Sequence, residues 1–387
     1  MLKPKLIRVT TVPISLEKLL GKQLSFMDQH FDLTAVSADA TALVEVGKKL
    51  GVKTYPVEMT RQITPVQDLK ALWKMYRFLK SERPDIIHSH TPKAGLVSML
   101  AAKLAGVPNR LHTVAGLPLM EAQGLKRKIL MLVEQLTYAA ATHVYPNSKG
   151  LSEFILENKL TTSSKLKVIA NGSSNGIDTT YFDKDNLNQN DLFVLKKSLK
   201  IEDDDKVFIF VGRLVGDKGL NELIEAFEEI EKDNTKSKLI LVGTFEDELD
   251  PLQTSTLEKI KSNSNIINVG WQSDVRPYLA IADILTFPSY REGFPNVVMQ
   301  AGAMGLASIV SNINGCNEII IENRNGLIIP VKNEKALTEA MQKLLNDQAL
   351  LSSLKTNARP MIVDRYQQQV VWDALLAEYK SLLGARS

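Results

Sequence analysis

The sequence predicts an α/β protein of two doubly wound domains, each a mainly parallel sheet covered on both faces by helices. Three observations carry that expectation. Short apolar runs rich in β-branched residues alternate with amphipathic helical stretches from Lys5 to Ala170, and the alternation resumes at Lys206. A polar stretch from Thr179 to Asn190, dense in Asp, Asn and Gln, separates the two series and has the composition of a connector. A chain of 387 residues is also too long for one ordinary core. The expected division is residues 1–185, residues 186–365, and a last helix over 366–387 that crosses back to the first domain.

In the first half, Lys5–Val12 reads as a strand and Leu16–His30 as a helix capped by Ser15. Strands at Leu33–Ser37, Lys53–Met59 and Asp85–His88 alternate with a helix ending at Gly51 and a helix Asp68–Ser81. The helix Ala94–Ala105 is closed by Gly106 and Pro108. Arg110–Val114, the helix Leu125–Ala140, His143–Pro146 and Leu166–Ala170 complete the series. A helix Asp191–Lys200 leads into the second sheet. There Lys206–Val211 is a short apolar run with the character of a buried parallel strand. Leu220, Leu223, Ile224, Phe227 and Ile230 then fall at helical spacing on one face. Further strands are expected at Lys238–Val242, Asn265–Val269 and Asp283–Phe287, with helices at Leu252–Ser262 and Asp274–Ala282. Ser308–Val310, Gly315–Ile321 and Asn325–Pro330 finish the sheet, and helices follow at Glu334–Leu345 and Leu350–Ala358. The last helix, near Gln367–Leu383, carries Val371, Leu375, Tyr379 and Leu382 on one stripe.

Composition narrows the function classes. Apolar content of 44% and charged content of 24% are those of a globular chain. A formal charge of +3 is small for this length and argues against a nucleic-acid binder. The single cysteine, Cys316, rules out an intrachain disulfide or a cysteine metal cluster and suits a reducing compartment. The N-terminus leads into a strand without a signal-peptide pattern, and no stretch has the apolar length of a membrane span. A cytoplasmic location, with contact at the inner face of the membrane, is expected.

The chemistry concentrates on loops after strands, where ligands of such sheets bind. Val211-Gly-Arg-Leu-Val-Gly-Asp-Lys-Gly219 sets two cations and three glycines between a strand and a helix. The run reads either as a plain strand-to-helix turn with two solvated cations or as an anion site, in which backbone N–H groups face the anion and Arg213 and Lys218 add full charge. The spacing fits neither G-x-G-x-x-G nor the nucleotide-hydrolase loop. Glu292-Gly-Phe-Pro-Asn296 precedes a second helix start, with Pro295 tolerated in its first turn. The loop His88-Ser-His90-Thr-Pro-Lys93 follows an earlier strand; its two histidines are expected on opposite faces and so do not share a metal. Gly124-Leu-Lys-Arg-Lys128 is a basic cluster running into an apolar helix, read either as a core helix with a solvated start or as a membrane-surface helix.

The run Val211–Gly219 resembles the V-G-R-L-x-x-x-K-G motif of the retaining glycosyltransferase family 4, whose fold is GT-B: two Rossmann-like domains facing across a cleft. Asn175-Gly-Ile-Asp178 is similar to the N-G-[VI]-D signature that ends the family's first domain. Glu292 to Gln300 resembles its E-x7-E element, with Gln300 in the second position. His112-Thr-Val-Ala115-Gly116 is similar to its T-x-H-G segment, with Ala115 where the family has histidine. The loop Thr11–Ser15 lacks the glycines common there. The resemblance implies that Arg213 and Lys218 hold a donor diphosphate and that Glu292 meets the donor sugar. Gly212, Gly243, Gly293, Phe294, Pro295, Asn296 and Gln300 are the remaining donor-binding candidates. Ser15, His90, Lys93, Thr113 and Gly116 are the acceptor-side candidates. A UDP-sugar donor, no required metal or cofactor, and a polyprenyl-diphosphate-linked glycan acceptor are expected, with Lys126, Arg127 and Lys128 near the membrane. An epimerase or phosphorylase of the same fold, or a noncatalytic sugar-nucleotide-binding partner, are the competing classes.

Overall fold

The structure, a computed structural model, describes residues 3–60, 62, 64–120, 122–246 and 250–384; Met1, Leu2 and residues 385–387 of the terminal segments read above lie outside it. The chain forms two compact units, one of Met1–Gly176 with Gln368–Ser387 and one of Ile177–Gln367. Each holds a six-stranded sheet whose neighbouring strands all run parallel.

The first sheet contains β1 (Lys5–Val9), β2 (Asp32–Ser37), β3 (Lys53–Pro56), β4 (Ile86–Ser89), β5 (Asn109–Val114) and β6 (His143–Pro146), in the order β3-β2-β1-β4-β5-β6. Chain direction across the sheet reverses between β1 and β4, so the loops after these two strands diverge to opposite faces and leave a crevice at their carboxyl ends. Ile7, Val9 and Ile87 face the helices Pro65–Glu82, Pro92–Ala105 and Gly124–Ala140 in one apolar layer. Leu6, Leu33 and Ile86 face Lys22–Asp28, Ala40–Leu50 and the last helix, Gln368–Gly384, in the other. Val371, Leu375 and Tyr379 are all buried there.

The second sheet contains β7 (Lys206–Val211), β8 (Ser237–Val242), β9 (Ile266–Gly270), β10 (Ile284–Phe287), β11 (Ala307–Ser311) and β12 (Gly326–Ile329), in the order β12-β11-β10-β7-β8-β9. Its reversal lies between β7 and β10, which places the loops starting at Gly212 and Pro288 at one crevice. One core joins Phe208, Phe210 and Ile240 of the sheet to Leu223 and Phe227 of the helix Leu220–Glu231.

Several expectations need correction. The polar stretch after Asn175 is not a free connector. Arg359 donates to the carbonyls of Thr179 (3.0 Å) and Phe182 (2.8 Å) and pairs with Asp183 at 2.5 Å, so 177–185 belong to the second unit. The helix expected at Leu16–His30 is broken. A turn at Pro13–Ser15 runs into a wide π-helical turn at Leu16–Leu20, and Gly21 ends it at φ 48° before Lys22–Asp28. Ser15 supplies no cap. Leu166–Ala170 makes only an isolated bridge from Leu166 to Val144, and Gly315–Ile321 holds a short helix, Cys316–Ile319, instead of a strand. The helix near Leu350 runs through Pro360 to Tyr366, because Leu354, Ala358, Ile362 and Tyr366 keep an unbroken buried stripe. The helix Lys149–Glu157 had no counterpart in the sequence reading; Ser148 caps it by accepting from the Leu151 N–H.

A buried polar layer lies between the first sheet and its last helix. Arg8, fully buried, donates from Nε to His90 Nε2 (3.0 Å) and from Nη2 to Gln23 Oε1 (2.7 Å). His88 bonds Tyr379 Oη through Nδ1 (2.5 Å) and Thr113 Oγ1 through Nε2 (2.7 Å). His88 and His90 are two residues apart along the strand and therefore share a face, with ring centroids 4.2 Å apart, which corrects the opposite-face expectation. His112 points to the other side, bonds Ser89 Oγ (2.8 Å) and lies against Gly95, where a Cβ would sit 2.5 Å from its ring.

Two outcomes are expected. Gly243 follows β8 at φ 150°, and a Cβ there would stand 1.8 Å from the Gly212 carbonyl oxygen. Gly243→Ala should therefore lower stability by about 2–3 kcal/mol, read from the urea midpoint; an unchanged midpoint would refute the close approach. Burial holds the pKa of His88 and His90 well below the usual value and that of His112 at about 4. The unfolded chain protonates these rings near pH 6.5 while the fold keeps them neutral, so their contribution is complete above that pH and is lost as pH falls. For His112 the loss runs from 6.5 down to about 4, at about 1.4 kcal/mol per pH unit. Urea midpoints should drop steadily from pH 7 to pH 5, and a flat profile would contradict neutral burial.

Candidate active site

The second unit builds its site from the loops on either side of the β7/β10 reversal. After β7 the chain turns through Gly212 and Arg213, makes a short helical turn at Gly216–Lys218 and enters the helix Leu220–Glu231 at Gly219. Gly219 has φ 72°, and a Cβ there would meet the Pro288 carbonyl oxygen at 2.2 Å. Only glycine allows the two loops this approach. Tyr290 N–H then donates to the Asp217 carbonyl at 2.9 Å, and Arg291 clasps the Asp217 carboxylate from Nε (2.9 Å) and Nη2 (2.6 Å).

The approach places Lys218 against Glu292. Nζ lies 2.5 Å from Oε1, with side chains only 13% and 18% exposed, so this ion pair is shielded far more than an ordinary surface pair. Ser289 Oγ donates to the same carboxylate oxygen at 3.1 Å. Arg213 is more open, pairs with Glu246 at 2.8 Å, and has its pKa raised chiefly by that hydrogen bond, with Asp217 and Glu292 adding to it. Arg213, Lys218 and Glu292 therefore share one electrostatic neighbourhood.

Gly293 and Phe294 lead to Pro295, which occupies the cap position before the helix Asn296–Ala303 and not its first turn. No side chain caps that helix, so its first amides are left to an external acceptor. The run is held from behind by Asn314, whose Nδ2 donates to the carbonyls of Glu292 (3.2 Å) and Gly293 (2.6 Å). Gly315, at φ 75°, lets the chain pass close to the Gly293 carbonyl. Phe294 packs edge-on to Tyr366 with centroids 5.4 Å apart. Gln300 is half-buried one turn along the helix. Gly243 N–H donates to the Gly270 carbonyl at 2.9 Å, so Gly212, Gly243 and Gly270 line up along the carboxyl edge of β7, β8 and β9. The crevice thus brings Gly212, Arg213, Lys218, Glu292 and Gly293 together. Ser289, Asp217, Glu246 and Asn314 were missed by the motifs; the signal for Ser289 and Asn314 was their place just after β10 and β11.

The acceptor-side candidates belong to the first unit. The loops after β1 and β4 are joined there by Thr11, whose N–H donates to Thr91 Oγ1 (3.0 Å) and whose hydroxyl meets the same oxygen at 2.7 Å. His90 is buried against Arg8, and Lys93 is ion-paired with Asp68 with only 10% of its side chain exposed. Thr113 is buried against His88, Ser15 is half-buried, and Gly116 has open space where a Cβ would stand. The basic triplet divides: Lys126 and Lys128 are exposed, whereas Arg127 donates to Leu119 O (3.0 Å) and Asn158 Oδ1 (2.7 Å) and so anchors its own helix. Among the described residues no helix is long and apolar enough to cross a membrane.

These features can be set beside known proteins. Residues 193–361 match the family described as glycosyl transferases group 1, and residues 26–172 match the glycosyl transferase 4-like domain. The chain is 31% identical over 379 residues, 98% of its own length and 97% of the relative's, to the capsular polysaccharide biosynthesis glycosyltransferase CapM of Staphylococcus aureus. It is 28% identical over 345 residues, 88% of this chain and 86% of the other, to the UDP-Gal:alpha-D-GlcNAc-diphosphoundecaprenol alpha-1,3-galactosyltransferase of Escherichia coli. Among solved structures, Anabaena Alr3699/HepE in complex with UDP superposes with a TM-score of 0.81 at 16% identity, over 98% of this chain and all of that one, a likeness of GT-B fold. A relative matched end to end at this identity, with both halves recognised in order, makes the chain a glycosyltransferase of family 4.

Proposed function

We propose that the protein transfers a sugar from a UDP-sugar, with retention of anomeric configuration, to a polyprenyl-diphosphate-linked glycan in surface polysaccharide assembly. The observation that carries this reading is the convergence of Lys218, Arg213 and the uncapped start of Asn296–Ala303 at the β7/β10 crevice. As the bond from the sugar's anomeric carbon to the β-phosphate breaks, charge builds on the phosphate. Two fixed cations and free backbone amides stabilise that charge without reorganising. Lys218 exchanges Glu292 for a phosphate oxygen, which frees the carboxylate for donor-sugar hydroxyls. Gln300 offers an uncharged amide to the ribose. The acceptor hydroxyl attacks on the face the phosphate leaves, and its proton passes to the departing phosphate oxygen. The side chains supply the positive charge, so the reaction needs no divalent metal. The capsular relative and the relative named for UDP-galactose and a diphosphoundecaprenol acceptor support this choice of substrates. An N-acetylhexosamine or a related hexose is the sugar inferred.

A lipid-linked acceptor calls for contact with a membrane, and the first unit offers a suitable surface. Val66, Leu69 and Trp73 on the helix Pro65–Glu82, and Leu125, Ile129, Leu132 and Leu136 on Gly124–Ala140, are exposed large apolar residues at helical spacing. Lys70, Lys74, Arg77, Lys80, Lys126 and Lys128 are exposed on the same two helices. Their carboxylates are buried or already paired: Glu134 is buried, Asp68 is paired with Lys93, and the more open Glu82 is paired with Lys5. Apolar side chains between unopposed cations suit an anionic lipid surface. The membrane contact thus spreads over two helices and excludes Arg127.

Lys218→Ala and Arg213→Ala should each lower kcat/KM by roughly 10²–10³ with the unfolding midpoint little changed, measured as UDP release with a lipid-linked acceptor. Near-normal turnover in both would refute the phosphate assignment. Chelation with EDTA should leave turnover unchanged, and a collapse restored by Mg²⁺ would overturn the metal-free reading. The pair Lys126→Glu, Lys128→Glu should reduce cosedimentation with phosphatidylglycerol vesicles at least about tenfold, with Lys236→Glu as an unaffected control.

A further inference from the structure

Beneath the last helix, the first unit has a small, partly open cavity of about 20 Å³ bounded by His90, Thr113, Asn147, Ser174, Val371 and Leu375, among others. That is room for one water-sized group. Each of its lining residues His90, Asn147 and Ser174 carries a buried polar atom, Nδ1, Oδ1 and Oγ respectively, that makes no hydrogen bond within the protein. Their roles are fixed by what the other end of each side chain does. Arg8 is a permanent donor, and its Nε–H points at His90 Nε2. Nε2 must therefore accept, and a neutral ring then carries its proton on Nδ1. Asn147 Nδ2 donates to the Ala115 carbonyl at 3.0 Å, which leaves Oδ1 as an acceptor. The cavity thus offers a donor at His90, an acceptor at Asn147 and a hydroxyl at Ser174 that can serve as either.

We infer that this cavity is a binding site for a single hydroxyl oxygen, a group that accepts from His90 and donates to Asn147. A halide or carboxylate is disfavoured by Asn147 Oδ1, and a cation by the His90 N–H with the Arg8 charge behind it. An apolar group would leave three polar atoms desolvated. His90, Thr113 and Asn147 lie at or just beyond the carboxyl ends of β4, β5 and β6, the end of the sheet at which ligands bind. Two sources supply the chemistry, an ordered water or a hydroxyl of the sugar acceptor. Only the second rests on the function proposed above.

Crystals of the full chain grown with sodium bromide test the site without any donor or acceptor. An oxygen peak within about 2.6–3.2 Å of His90 Nδ1 and Asn147 Oδ1, with no anomalous bromide signal, is expected. An empty cavity or a bromide ion overturns the inference. Long-range ¹⁵N–¹H spectra of the imidazoles should show His90 protonated at Nδ1; the Nε2–H tautomer overturns it as well. Ser174→Ala then identifies the source. An acceptor KM raised about tenfold at constant donor KM assigns the site to the acceptor hydroxyl. Unchanged kinetics with a lowered thermal midpoint assigns it to water. If neither KM nor the midpoint moves, Ser174 bonds nothing there and the inference fails.

Discussion

A parallel sheet wound by right-handed crossovers can spread in both directions only by reversing once, and the reversal leaves two neighbouring strands whose following loops part to opposite faces. This protein has that reversal twice, at β1/β4 and at β7/β10. Most candidate residues stand on one of the four loops so created; Thr113, Gly116 and Gly243 belong to neighbouring strands and their loops, and Lys93, Asn296 and Gln300 to the helices that follow. In the second unit the constraint is tightened by the Gly219 backbone against the Pro288 carbonyl, which sets how near Lys218 comes to Glu292. The charges depend on the chain path, and the chain path depends on a residue without a side chain.

The strands were legible because a strand buried on both faces needs a continuous apolar run, and residues 207–211 and 239–242 form one each. The cations after β7 were legible because glycine spacing marks a tight strand-to-helix turn. Partners were not. Nothing in the local pattern tells that Lys93 meets Asp68, that Arg127 turns inward to Leu119 and Asn158, or that Arg359 ties down 179–183 from far along the chain. These pairings join residues about 25 to 180 positions apart or depend on how a helix is rotated, and composition records neither. The Leu16–His30 expectation failed for a related reason: buried Leu16, Leu20, Leu24 and Met27 keep a helical apolar stripe straight through the π-turn and Gly21 that break the helix.

The two polar centres handle charge differently. In the second unit each cation has a carboxylate at hand, and an incoming anion displaces one partner for another, so little net charge is stripped of solvent at any moment. In the first unit the partners of Arg8 among the described residues are neutral, His90 and Gln23, and burial, with the Arg8 charge adding to it, holds the His88 and His90 imidazoles in their uncharged form. The first arrangement is suited to exchange and the second to rigidity.

The first unit is discontinuous: its sheet is complete by Pro146, but one face is covered by Gln368–Gly384. Trp372 donates to Asn175 Oδ1 at 2.7 Å, and Tyr379 reaches His88. On the ribosome the part of that face covered by the last helix stays open while the whole second unit, Ile177–Gln367, is made, so the inserted unit can mature before the one that precedes it. For some tens of seconds at ordinary elongation rates the nascent chain leaves Phe26, Phe31 and His88 without the Trp372 and Tyr379 side chains that later cover them. Chaperone demand should therefore concentrate on the first unit, although the piece it lacks is encoded after the whole of the second.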